Sequence, residues 1–256
     1  MKPLFVKGKR GQLTAIILIG LVIFILATLL IYFRFFYQQG ALKIGAKELA
    51  VPTQLKPLDA ILEKCATTTL EEGLILIGLQ GGYVTPPKLS LKTKHSKIAY
   101  WYYNGKKHIP TKKTIEKQLN NYLDFNMQFC FNKKQFPQFQ ITTKEPTAKT
   151  TINKEQVTTT ITYSITATKE KAKYELNKKY KTKINIPLGN IHATTKNIIE
   201  NEIKKPGSID MSHLLDLDYD VAILPKDDNH IVYSITDTKN KLKGKEYTFI
   251  LAYFAK

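Results

Sequence analysis

The side chains that most often carry catalysis are not arranged in any familiar motif. The five histidines, at positions 95, 108, 192, 213 and 230, are far apart, and none lies in an H-E-x-x-H sequence. The chain also has no G-x-S-x-G, S-x-x-K or G-x-G-x-x-G sequence and no P-loop. Because each of these motifs places a nucleophile, a metal ligand or a phosphate cradle, the sequence predicts no catalytic activity and no cofactor.

A run of alternating aspartates is the one pattern that suggests a metal. Asp216, Asp218 and Asp220 alternate, and Asp227 follows Asp216 by eleven residues. Calcium loops begin with this spacing and place an acidic ligand at their twelfth position. Their sixth position must turn sharply and is Gly, whereas here it is Val221. The apolar residues between the aspartates alternate as in a strand, so we expect a solvated acidic strand edge and no metal.

Four consecutive aromatic residues are the most distinctive candidate for binding. They precede Asn104-Gly105, a dipeptide typical of a type I′ hairpin turn, so they must divide between the two faces of a strand. Two interpretations remain open. One pair is exposed and stacks on sugars or bases, or both pairs pack in the core or against a neighbouring element. The candidate binding residues are Tyr100, Trp101, Tyr102, Tyr103, Lys106 and Lys107.

The charge of the chain is strongly positive. The formal net charge is +18, from 37 lysines and only two arginines against 21 acidic residues. A basic surface of this size attracts anionic polymers, although scattered lysines can equally be solvated surface residues. Recognition of phosphate favours the planar, forked guanidinium group. We therefore expect an anionic surface polymer as a candidate partner and do not expect specific nucleic-acid binding.

The N-terminal region contains a long apolar segment. Residues Leu13 to Phe33 form 21 positions without a charged side chain, and roughly 20 helical residues cross the hydrocarbon core of a bilayer. The first eleven residues are basic, which keeps them in the cytoplasm. The sequence therefore predicts a single-pass transmembrane helix, with the lipid bilayer as partner. It places the protein in the cell membrane, with the N-terminus in the cytoplasm and the C-terminal domain outside the cell.

The residues directly before this segment, Lys9-Arg10-Gly11-Gln12, resemble the class III signal of archaeal type IV pilin-like proteins and archaellins. The resemblance implies cleavage between Gly11 and Gln12, with the apolar helix kept on the mature protein. It also implies other copies of the chain or pilin-like subunits as partners. Bacterial type IV pilins carry Glu at the fifth mature position, where this chain has Ile16. The C-terminal part is similar to uncharacterised single-span proteins of small-genome archaea.

Cys65 and Cys130 are the only cysteines. Each lies on the inward face of a predicted helix, and two cysteines in an exported chain most simply form a disulfide. Two buried free thiols are the alternative. A redox or metal pair is a third possibility, although the C-x-x-C spacing of such pairs is missing.

Three helices are predicted in the part that follows the apolar segment. The first begins at Pro57 and ends in the Gly-rich stretch from Gly73 to Tyr83. The second covers Thr111 to Cys130, with Thr111 as its cap. The third covers Asn190 to Lys204 and ends before Pro206-Gly207.

Strands are predicted after the second helix, where the composition changes. Between Ile141 and Thr168, 11 of 28 residues are Thr, and from Val157 onward apolar and hydroxyl side chains alternate, which predicts one buried and one wet face. The hydroxyl face is either a solvated β surface or a carrier of O-linked sugar. Further strands are predicted at Tyr180 to Ile186, Tyr219 to Leu224, Ile231 to Thr236 and Tyr247 to Phe254. The last is almost continuously apolar, so we expect it at the centre of a sheet.

Together these elements predict an α+β protein with a long N-terminal transmembrane helix and an extracellular α+β domain that has an antiparallel sheet. The expected divisions are a leader (1–11), the transmembrane helix and its extension (12–49), a helical and hairpin lobe (50–135) and a β-rich lobe (136–256). The predicted function is that of a membrane-anchored surface protein, structural or adhesive. The alternative is a lysine-rich binding module for an anionic polymer, either polysaccharide or nucleic acid.

Overall fold

A computed structural model describes residues 19–32, 52–94, 96–204 and 211–254, without the side chains of Met211 and His213. The chain divides into two compact units, Met1–Ala50 and Val51–Lys256. Each unit is described by itself. Of the first, only residues 19–32 are described.

The described part of the first unit is helix α1, residues 19–32, and its side chains are exposed. No helix in the described ranges is both long enough and apolar enough to cross a membrane. The predicted transmembrane helix is therefore wrong, and so is the predicted single-pass location in the cell membrane.

Several predictions fall outside the described residues. They are the basic leader, the cleavage between Gly11 and Gln12, and the ends of the predicted span at residues 13–18 and 33. The resemblance to a class III signal rests on the same leader. It stays a prediction.

The described part of the second unit contains four helices, and local signals explain the starts of two of them. Pro57 lies in the first turn of α2, where its missing N–H costs nothing. The Thr111 hydroxyl caps α3 by accepting the backbone N–H of Thr114 at 3.1 Å, as predicted. The helices are α2 (Lys56–Leu79), α3 (Lys112–Asn126), α4 (Leu188–Lys204) and α5 (Met211–Leu215), with 3₁₀ turns at Thr53–Leu55, Met127–Phe129 and Lys133–Gln135.

Helix α2 continues through Gly73 and Gly78 and ends at Leu79, within the predicted stretch from Gly73 to Tyr83. A Cβ at Gly73 would lie 3.0 Å from a methyl group of Leu119, and one at Gly78 would lie 2.4 Å from the carbonyl oxygen of Thr248. These glycines let a helix and a strand approach α2 closely and do not end it. The turn comes later, at Gly81 and Gly82, where φ is positive.

The first sheet is built from both ends of the second unit. Its order is β1-β2-β10-β9-β8, with β3 paired to β2. Strands β2 and β10 run parallel, and the other pairs are antiparallel. Strand β10 lies centrally, as predicted, and Asn104-Gly105 forms the β2–β3 turn with positive φ at both residues. The strands are β1 (Ser90–Lys92), β2 (Lys97–Tyr103), β3 (Lys106–Lys107), β8 (Asp220–Pro225), β9 (His230–Leu242) and β10 (Lys245–Phe254).

The second sheet has β6 at its centre. Strand β7 pairs along one side of β6, while β4 and β5 pair one after the other along its opposite side, all antiparallel. Burial alternates along β6, with Val157, Ile161 and Ile165 inward and hydroxyl residues outward, which confirms the predicted two-faced strand. The strands are β4 (Gln140–Thr143), β5 (Thr147–Ile152), β6 (Val157–Lys169) and β7 (Ala172–Ile184).

One main core connects the helices with both sheets. It contains Leu70 of α2, Leu119 of α3, Ile165 of β6 and Phe249 of β10, none of which is measurably exposed. Helix α2 packs against α3, β7 and β10, and α3 packs against β5. The predicted α+β class with antiparallel sheets is confirmed for this unit, apart from the parallel pairing of β2 with β10.

Cys65 of α2 and Cys130, which follows α3, form a disulfide. Their Cα atoms are 5.7 Å apart. The predicted pairing is confirmed, and the bond connects the helix packed on β7 with the helix packed on β5.

Candidate functional site

The outer face of the second sheet carries a regular array of lysine and threonine side chains. In β7, Lys179, Lys181 and Lys183 alternate with residues that face the core, so all three point outward and are exposed. The pairing of β7 with β6 places them directly opposite Thr162, Thr160 and Thr158. Two residues of a strand rise about 6.7 Å, so these ammonium groups form a row with that repeat.

Strand β5 extends the array on the other side of β6. Lys149, which is exposed, pairs with Thr160, while Thr147 and Thr151 pair with Thr162 and Thr158. The sheet therefore presents three parallel rows, each with a hydroxyl in the middle and one or two lysines at its ends. We call this surface the lysine–threonine face. Its four central lysines are Lys149, Lys179, Lys181 and Lys183.

Among the residues that the structure describes, the four central lysines have no carboxylate partner. Within the described residues, the ion pairs closer than 4.0 Å involve other lysines or His230, for example Lys107 with Glu200 at 3.2 Å. The carboxylate at the far end of β7, Glu175, is paired with Lys173 at 2.6 Å, and this hydrogen bond lowers the pKa of Glu175. The array thus has an uncompensated positive charge.

All outward positions of the second sheet are polar. They carry Thr, Ser, Lys, Gln, Asn or Glu, without an aromatic side chain or an arginine. Such a surface offers ammonium groups for ionic contacts and hydroxyls for hydrogen bonds. It gives a nucleic-acid base nothing to stack on.

The predicted aromatic site lies in the first sheet, and most of it is buried. Trp101 is completely buried, and its indole N–H donates to the carbonyl of Gly81 at 3.0 Å. Tyr100 is only 5% exposed, Tyr102 stacks on Tyr253 with ring centroids 5.0 Å apart, and Tyr103 is half-buried. An irregularity in the β2–β10 register lies at this point.

The predicted lysines next to these rings lie in β3. Lys106 and Lys107 are both exposed, and Lys107 is paired with Glu200 of α4. The structure therefore does not bring the aromatic residues to the lysine–threonine face. Ligand binding by the aromatic residues of β2 and the lysines of β3 stays a prediction.

The aspartate run lies at one edge of the first sheet. Asp220 begins β8, Asp218 is paired with Lys239 at 2.6 Å, and Asp227 accepts from the His230 ring at 2.8 Å. The lysine hydrogen bond lowers the pKa of Asp218. In the parts of the chain that are described, no group of three or more potential ligands could hold a metal ion.

Sequence reasoning missed the lysine–threonine face although its signal is visible. Strand β7 begins at Ala172, eight residues before the predicted start at Tyr180. The predicted strand therefore left out Lys179, and the alternation of lysine with Tyr180 and Thr182 was not interpreted as one charged face.

Comparison with other proteins adds nothing to this description. No family model, no curated protein and no solved structure matches the chain. What the surface binds must be inferred from its own charges and geometry.

Proposed function

We propose that the protein is a non-catalytic adhesive module that binds an anionic polymer on its lysine–threonine face. The observation that supports this is the row of unpaired lysines in β7, held opposite threonine hydroxyls by the sheet register. Like charges on neighbouring positions repel one another. An anionic polymer along the row relieves this repulsion and releases counterions, so binding weakens as salt rises.

The chemistry of the face favours an acidic polysaccharide over a nucleic acid. Carboxylate or sulfate groups of a sugar chain pair with the ammonium groups, while its hydroxyls find Thr158, Thr160 and Thr162 beside them. Single-stranded nucleic acid is usually held by aromatic stacking platforms and by arginine. The outward positions of this sheet have neither.

The test measures affinity for polygalacturonate across a series of salt concentrations. Replacing the four central lysines by glutamine should weaken binding at least tenfold. Each lysine contact releases roughly 0.7 counterions. Removing four contacts should therefore make the negative slope of log affinity against log salt shallower by roughly 2 to 3. A single-stranded oligothymidylate of equal charge should bind the unmodified protein more weakly than polygalacturonate at the same salt concentration.

A charge-matched control separates a specific face from the overall positive charge. It replaces four exposed lysines around β1 and β2 by glutamine, and none of them lies in the second sheet. If the control loses as much affinity as the first variant, binding depends on net charge and the proposal is wrong. Tighter binding of the oligothymidylate would reject the polysaccharide. The control lysines are Lys88, Lys92, Lys94 and Lys97.

A further inference from the structure

The most exposed aromatic side chains of the second unit form a pair at the end of α3. Phe125 is 62% exposed and Phe129 is 69% exposed. They lie one helical turn apart, with ring centroids 5.3 Å apart in an edge-to-face arrangement. Single exposed apolar residues are common, but a contiguous apolar patch indicates an interaction site.

A groove of about 630 Å³ lies next to this pair and is open to solvent. Its apolar lining comes from Ile61, Phe129 and Phe131, and Lys133 and Lys134 lie at its rim. Its lining includes no acidic side chain. The groove therefore combines apolar side chains with two exposed lysines.

The surrounding chain holds the aromatic pair in this exposed position. Met127 and Phe136 are buried in the core on either side of the groove segment. Cys130, which lines the groove, is bonded to Cys65 of α2. Because these anchors fix the backbone before a partner arrives, binding costs little ordering entropy.

We infer that this groove docks an acidic amphipathic helix from another protein. Two apolar residues one turn apart beside a groove suit the apolar stripe of a helix. Lys133 and Lys134 at the rim select glutamate or aspartate on the flank of that helix. A second copy of this chain is a poor occupant, because it would bring two lysine rims together.

Two synthetic helical peptides test this inference. Both carry leucines along one face; one has glutamates on the flanks of that face, and the other has lysines at the same positions. Fluorescence anisotropy should show at least tenfold tighter binding of the glutamate peptide. The variant F125A/F129A should lose at least tenfold in affinity for it, while K133E/K134E should prefer the lysine peptide.

The matched control is L215A/L224A, which removes two exposed leucines outside the groove. Leu215 is 79% exposed and Leu224 is 54% exposed, and this variant should bind the glutamate peptide as the unmodified protein does. Equal binding by F125A/F129A would mean that the peptide is held by scattered lysines, and would overturn the inference. If neither peptide binds even at high concentration, the inference is also overturned.

Two further measurements test whether the groove instead binds a second copy of the chain or a lipid surface. Sedimentation equilibrium detects a dimer, and a dimer abolished by F125A/F129A would assign the groove to a second copy. Cosedimentation with phosphatidylglycerol vesicles, lost in the same variant, would assign it to a lipid surface. Either result would overturn the inference, whereas polygalacturonate binding should be unaffected by F125A/F129A.

Discussion

The two edge strands of the second sheet, β5 and β7, are protected in different ways against pairing with another strand. An edge strand has unpaired backbone N–H and C=O groups, which invite pairing with another strand. At the β5 edge, three side chains of α3 accept backbone N–H groups from alternate residues of the strand. These hydrogen bonds join Glu116 to Ile152 at 2.9 Å, Asn120 to Thr150 at 2.8 Å and Asp124 to Ala148 at 2.5 Å.

The geometry of a helix and of a strand explains why this arrangement fits. Four residues of a helix rise about 6.0 Å, and two residues of a strand rise about 6.7 Å. Side chains at every fourth position of α3 therefore stay in register with every second amide of β5. Helix α3 thus takes the place of a further strand.

The β7 edge has no such cover. Within the described ranges, β7 pairs only with β6. Its protection is electrostatic: Lys178 faces the core side beside Tyr180 and pairs with Asp59 of α2, and the outer lysines add further charge. An inward-pointing charge on an edge strand discourages pairing with another strand. The open edge also carries three of the four central lysines of the lysine–threonine face, so these outer lysines serve both protection and the proposed binding.

The largest expected effect comes from breaking the disulfide that connects α2, which packs on β7, with the segment after α3, which packs on β5. The disulfide closes a separation of 65 residues, and the chain-entropy model gives about 4 kcal/mol for such a loop. We expect C65S/C130S to lose about this much unfolding free energy in urea titrations. Adding reductant to the unmodified protein should give the same loss. A loss below about 1 kcal/mol would show that packing alone holds α2 and α3 in place.

The next effect should come from the hydrogen-bonded edge. The hydrogen bond from the Thr150 amide to Asn120 is partly buried. Replacing Asn120 by alanine leaves this amide without its acceptor. The expected loss is about 1 to 3 kcal/mol, with faster hydrogen exchange at the Thr150 amide. Asn121, the next residue of α3, is exposed, so N121A should change stability by less than about 0.5 kcal/mol. Equal losses in both variants would mean that the effect comes from the helix and not from the edge.

The electrostatic edge is tested by removing its inward-pointing charge. The Lys178–Asp59 pair is partly exposed, so K178T should change the unfolding free energy by less than about 1 kcal/mol. Sedimentation velocity should instead show association that increases with concentration, because the edge then accepts another strand. Lys171, an exposed residue of the β6–β7 turn, provides the control variant K171T, which should associate no more than the unmodified protein. If K178T also associates no more than the unmodified protein, the outer lysines alone protect this edge.

Elements with a strong local pattern were predictable from the sequence. The spacing of apolar residues identified α3 and α4, and the alternation after Val157 identified β6 and its buried face. The end of α2 was predicted only to within the stretch from Gly73 to Tyr83, because Gly73 and Gly78 are helix-weakening residues in isolation. Their role depends on Leu119 and Thr248, which are distant in sequence.

The two edges show why the site itself was harder to predict. Glu116, Asn120 and Asp124 are spaced by four, but ordinary exposed helix positions show the same spacing. Only the position of β5 gives these residues a partner. The lysines of β7 form a single surface only once the β6–β7 register is known. In both cases the missing information is tertiary pairing, not residue type.

The smallest expected effect concerns the third acceptor at the β5 edge. Burial raises the pKa of Asp124, and the hydrogen bond from Ala148 only partly offsets this. The folded state therefore binds the proton more tightly than the unfolded chain, so this group's contribution to stability is lost as pH rises from about 4 through the raised pKa. At neutral pH, D124N should be more stable by less than about 1 kcal/mol, because solvent near the group screens the penalty and the amide oxygen still accepts the bond. In urea titrations, the gain in unfolding free energy of D124N should be smaller at pH 4 than at neutral pH. The control D228N removes an exposed carboxylate outside the sheets, and its effect on stability should not depend on pH in this way. A D124N variant that is less stable at neutral pH would mean that the charge strengthens the bond to Ala148 by more than burial costs.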